Sequence, residues 1–93
     1  MTIATIFEFR DFLRIVGSDL DPTLDLALRS ASAEVRHYLG FDPEEPDPDM
    51  VIACCLLAQT HVDAGSPDDQ NHRREAAHRL LRPHRLDTGI AGA

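Results

Sequence analysis

Lysine is absent from this sequence of 93 residues, so its nine basic residues are all arginine and face sixteen Asp and Glu, for a net charge of −7. That excess of acid argues against a chain that grips duplex nucleic acid over a broad surface, since duplex affinity comes largely from Lys and Arg on phosphates. Long apolar runs are missing too. The longest, Met50 to Ala58, has nine residues, about half of the ~18–20 that a membrane-crossing helix needs. Cysteine is scarce, and its two copies, Cys54 and Cys55, are adjacent. Neighbouring Cα atoms lie ~3.8 Å apart, below the ~4.4 Å minimum of an unstrained disulfide. No Cys-x-x-Cys pattern or second pair completes a zinc site. Both cysteines are therefore expected to be small buried apolar residues in a reducing compartment.

Several chemical signatures are lacking as well. There is no glycine-rich phosphate loop and no nucleophile elbow, and the acidic segment Asp42 to Asp49 lacks the glycine and ligand spacing of a calcium loop. His61 follows Cys54 by seven residues, which shares a helix face but separates the two by ~10 Å along it, too far for proton transfer. His61 with Asp63 or His72 could approach a metal, yet the spacing favours a surface histidine. No catalytic residue, cofactor-binding residue or metal ligand is expected, and the chain is not expected to be an enzyme. The opening "MTIATIFEFRDF" has neither a basic start nor a small-residue cleavage site after an apolar run, so the chain is expected to stay in the cytoplasm where it is made.

What is present is a set of helix signals. Apolar residues make up 43% of the chain, in blocks separated by Pro, Gly and Asp. Thr5 and Glu8 form a capping box ahead of a helix expected over Ile6 to Ile15, with Ile6, Phe9, Leu13 and Val16 on one face and Gly17 as its stop. Asp21 and Pro22 start a second helix that runs to Leu39, with a stripe of Leu24, Leu28, Ala31, Val35 and Tyr38 and a stop at Gly40. "GFDPEEPDPD" is a solvated connector. Asp47 and Pro48 then begin a third helix to Ala64, apolar nearly all round and so expected at the centre of the fold. Ser66 and Pro67 begin a fourth that carries Ala76, Ala77, Leu80 and Leu81 inward and stops at Pro83. The expected fold is all-α, a small bundle of about four helices in one domain over residues 1–82, followed by a flexible C-terminal tail, 83–93. Its expected core includes Phe9, Leu13, Leu24, Leu28, Val35, Tyr38, Ile52, Leu56 and Leu80.

Charge is unevenly placed along the chain. Met1 to Gly65 holds twelve acidic residues and four Arg, whereas Asn71 to Leu86 holds five Arg and three His against one Glu. A mildly basic end on an acidic body implies two faces with different partners.

In order and spacing these blocks resemble the head-tail connector proteins (adaptor or head-completion proteins) of tailed bacteriophages and related prophage elements. "FRDFLRIVGSDLDPTLDLALRSASAEVRHYLG", Phe9 to Gly40, is similar to the family's short helix, Asp-rich turn and long helix. The apolar helix Met50 to Ala58 follows a Pro-rich loop, and "LLRPHR", Leu80 to Arg85, resembles the closing Leu-Leu-x-Pro-aromatic-Arg phrase with His84 in the aromatic position. The charged connector and the lack of aromatic residues around His61 depart from the family pattern.

The resemblance implies a structural protein of the virion neck, present in the host cytoplasm during assembly. It implies a homo-oligomeric ring, roughly twelve-fold, below the portal protein, which extends the DNA channel and meets the next neck protein, of the stopper or tail-terminator type. Duplex DNA would pass through without specific binding. Arg82, His84, Arg85 and Leu86 are the expected portal-docking residues, with Arg82, Arg85 and the histidine supplying donors for an acidic partner surface. A small helical DNA-binding regulator, using the Arg-rich fourth helix, is the alternative, and a metal or redox protein using Cys54, Cys55, His61 and His72 is a third reading.

Overall fold

The computed structural model describes residues 2–63 and 65–85. The chain is an all-α bundle of four helices, α1 (Ile6–Leu13), α2 (Asp21–Leu39), α3 (Pro48–Val62) and α4 (Pro67–Leu81), closed by a 3₁₀ turn, Arg82–His84. Among the described residues none lies in a strand. No described helix is long and apolar enough to cross a membrane.

Helices α1 and α4 begin where a side chain satisfies free amides, whereas α2 and α3 have no side-chain cap bond. At α1 the Thr5 hydroxyl accepts from the Glu8 amide at 3.0 Å, and the Glu8 carboxylate accepts from the Thr5 amide at 2.8 Å. The Ser66 hydroxyl accepts from the Asp69 amide at the start of α4, at 3.1 Å. Helix α2 differs from expectation. Its N-cap is Leu20, without a side-chain bond, and Asp21 is the first helical residue. The Asp21 carboxylate instead receives Arg10 of α1 through two nitrogens, at 3.0 and 3.1 Å. Asp21 is thus engaged by a charged contact between elements, one hydrogen bond and one ion pair, and does not act as a local cap.

Helix α1 ends two residues short of Ile15. Arg14 adopts the left-handed conformation, φ 60°, and its amide donates to the carbonyls of Arg10 and Asp11. The Ile15 amide also donates to the Arg10 carbonyl, at 2.9 Å, the long bond of a Schellman ending. Stopping there lets Ile15 fold back against the core and throws Val16 wholly into solvent, 99% exposed. The period that placed Val16 on the inner face is broken by the turn before it is reached. The stop at Gly17 is likewise moved upstream, whereas Gly40 does close α2, with φ 87° and its amide on the Arg36 carbonyl.

Helix α3 lies between α2 and α4, which make its two largest contacts, while α1 packs mainly across α2. Phe9, Leu24, Leu28 and Val35 are buried with Leu39, Leu57 and Leu81, and Leu13, Tyr38, Leu56 and Leu80 pack at the edge of that core. Ile52 is not a core residue: it is 43% exposed. Three neighbouring helices cannot cover a helix that is apolar on every side, and the uncovered sector passes through Ile52. The expected end of α3 at Ala64 lies outside the described residues, and the helix ends at Val62 with Asp63 as its cap.

The chain before α1 is part of the core. Ile3 and Ala4 are buried, and the Ile3 amide donates to the Ser32 hydroxyl at 2.8 Å. Ser32 is fully buried on α2 and also meets the Cys54 sulfur at 3.4 Å. Removing that hydroxyl would strand a buried amide, at a cost of about 1–3 kcal/mol.

Candidate functional site

The cysteines sit deep in this core. Burial pushes the Cys54 thiol upward, opposed by the Ser32 hydrogen bond, and pushes Cys55 up to about 12, with the neighbouring Cys54 and Glu8 adding to the effect. A thiol that stays protonated at neutral pH is a poor nucleophile and a poor metal ligand. His61 is elsewhere: its Nε2 faces the Ser30 hydroxyl at 3.4 Å on the surface. Among the described residues no group of three or more His, Cys, Asp or Glu is placed to hold a metal ion.

The residues expected to dock a partner lie at the end of α4. Pro83 and His84 belong to the 3₁₀ turn rather than to a loose tail, and the Arg85 amide closes that turn on the Arg82 carbonyl at 3.2 Å. The flexibility expected for the rest of the tail, and the docking role of Leu86, lie outside the described residues. His84 is held within the chain, Nδ1 at 3.4 Å from Asp47 and Nε2 at 3.6 Å from Asp49. The Arg85 guanidinium lies over the Tyr38 ring at 5.1 Å. Arg82 is exposed and makes no ion pair among the described residues. The three described residues are therefore not equivalent donors: Arg82 is exposed, while His84 and Arg85 are already engaged.

Two of the three arginines of α4 are engaged in the same way, and the third, Arg79, is exposed. Arg73 pairs with Asp63 at 3.0 Å, and Arg74 pairs with Glu34 of α2. His78 approaches Glu34 at 3.6 Å and stacks flat on Tyr38, with ring centres 4.6 Å apart. Arg73, Arg74 and Arg85 thus help to fasten the C-terminal part of the bundle to the acidic body, while Arg79 and Arg82 stay exposed.

A second surface was not legible in the sequence. At the opposite end of the bundle, two shallow grooves of about 320 and 410 Å³ run side by side and share Thr23 and Val62. Leu20, 51% exposed, lines the first and Leu26, 61% exposed, lines the second. Both leucines are large apolar residues on or beside the outer side of α2, off the stripe that packs inward. Off-stripe leucines were the available signal, but sequence alone does not show whether another helix covers them. No known family model matches the chain, and neither a curated protein nor a solved structure matches it.

Proposed function

We propose that the protein is a structural head-tail connector of a tailed phage or prophage-like particle, a helical module that works by contact rather than by chemistry. The observation that carries this reading is the pair of apolar grooves with Leu20 and Leu26 exposed along them. Large apolar side chains left open side by side on a small domain mark an interaction surface. The resemblance of Phe9 to Gly40 and Leu80 to Arg85 to connector proteins supplies the kind of assembly: a ring of identical subunits under the portal protein, handing the DNA channel to the next neck protein. The acidic body supports passage of duplex DNA without adhesion.

In this reading the partner-facing positions divide by chemistry. Leu20 and Leu26 supply apolar area, and Arg82 supplies an exposed cation at the other end of the bundle. The test is co-purification of the full chain with the portal protein of the particle that encodes it, at low and high salt. Native chain is expected to co-purify as a ring-bearing complex. Arg82→Ala should weaken attachment more at low salt than at high salt, because rim charges are screened. No complex at either salt would overturn the connector reading. A salt-dependent shift of duplex DNA by the isolated chain would favour the regulator instead.

A further inference from the structure

We propose that His84 is a pH-operated latch that fastens the 3₁₀ turn at the end of α4 to the acidic connector at the start of α3. The turn closes as the imidazole takes up its second proton. Three observations carry it. First, His84 has a carboxylate at each ring nitrogen: Asp47 Oδ2 at 3.4 Å from Nδ1 and Asp49 Oδ2 at 3.6 Å from Nε2. Second, the His84 side chain is only 25% exposed, so the ring is held between its partners instead of swinging in solvent. Third, the carboxylates belong to the N-terminal end of α3 and the histidine to the turn after α4, so the contact joins two elements.

The chemistry follows from the inventory of an imidazole. A neutral ring has one N–H and one lone pair, so of two flanking carboxylates one is necessarily faced by a lone pair. Only the imidazolium offers a donor to both. Protonation therefore turns one repulsive contact into an attractive one and adds charge to the other. Histidine is the side chain that ordinarily changes charge in the range ~pH 5–8.

Other charges around the ring oppose one another. The C-terminal end of α4 favours a cation and the N-terminal end of α3 disfavours it, the latter offset by Asp49 in its first turn. On the turn itself, Arg82 is exposed and Arg85 is drawn over Tyr38 of α2. Glu44 and Glu45, exposed on the connector, add negative potential. His78, the other histidine that faces a carboxylate from α4, is a poorer switch because its partner Glu34 is already neutralised by Arg74.

The latch is tested by hydrogen exchange of the Arg85 amide, which donates to the Arg82 carbonyl and so reports the turn. Protection factors of the full chain, corrected for intrinsic rates, are compared on either side of the histidine range. Protection is expected to be about fivefold higher on the acid side, a change of about 1 kcal/mol. This response should vanish in His84→Gln and in the double variant Asp47→Asn, Asp49→Asn, and survive in His78→Gln. Asn is as good an N-cap as Asp, and Asp47 makes no side-chain cap bond, so the double variant keeps α3 intact even if His84→Gln opens the turn. A flat response in the native chain would overturn the latch, as would a response that persists without the two carboxylates or disappears with His78.

Discussion

Cys55 shows how one residue's surroundings become a property of the whole chain. Its thiol would lose a proton near 9.0 when unfolded but is pushed up to about 12 when folded, mainly by burial. Between those values the unfolded chain binds fewer protons than the folded one, so stability must fall as pH rises. The contribution is complete below the unfolded value and lost on approach to the folded one; Cys54, shifted in the same direction, acts alike. Melting temperature followed from neutral to strongly alkaline pH should therefore decline above about 9, and less steeply in Cys55→Ala. Equal slopes in the two chains would mean that the thiol is not the group responsible. The same burial should keep both cysteines slow toward alkylating reagents until the chain is unfolded.

At the scale of elements, the turn from α1 to α2 combines strain with a strong contact. Arg14 sits at φ 60° to end α1, a left-handed conformation that costs a side chain about 1–2 kcal/mol. The ending is needed because Ile15 packs inward while Arg10, one turn earlier, grips Asp21 at the start of α2. Glycine relieves the steric cost but adds freedom to the unfolded chain, worth about 0.4–1 kcal/mol in the opposite direction. Arg14→Gly should thus stabilise the fold by about 0.5 kcal/mol, read as a small rise in the denaturant midpoint at unchanged slope. A clear loss of stability would show that the Arg14 side chain contributes a contact that outweighs its backbone strain. The Thr5–Glu8 capping box and the Ser66 cap were legible in sequence because they act within four residues, whereas the side-chain caps expected of Asp21 and Asp47 are not made. The Schellman ending at a non-glycine was not, since what selects it is the inward packing of Ile15.

Across the whole molecule, the two ends differ in what they leave open. One presents apolar grooves beside Leu20 and Leu26, and the other gathers the connector carboxylates, His84 and the exposed Arg82. A chain of this size buries only ~60–65% of its unfolded surface, so apolar area kept outside the core is a substantial loss unless an assembly covers it. Sedimentation over a wide concentration range should show association of the native chain, reduced in Leu20→Asp combined with Leu26→Asp at unchanged helical content. Association of equal strength in that variant would move the self-contact to another face, with exposed Ile52 the next place to look.

By itself the sequence determined the number of helices, their order, most of their starts, the stop at Gly40 and the all-α class. Those depend on side chains hydrogen-bonding to amides within one turn and on apolar spacing along one element. The core roles of Phe9, Leu24, Leu28 and Val35 were legible for the same reason. Only the tertiary structure decided which apolar residues went uncovered, Val16, Leu20, Leu26 and Ile52 among them with Phe7, Phe12 and Phe41, and that Ile3 and Ser32 became core. It alone brought His84 between Asp47 and Asp49, which lie more than thirty residues earlier in the chain. The physical reason is that a periodic pattern states which sides of a helix could be buried. Burial itself is decided by what other helices lie against those sides, and that is a property of contacts between residues far apart in sequence.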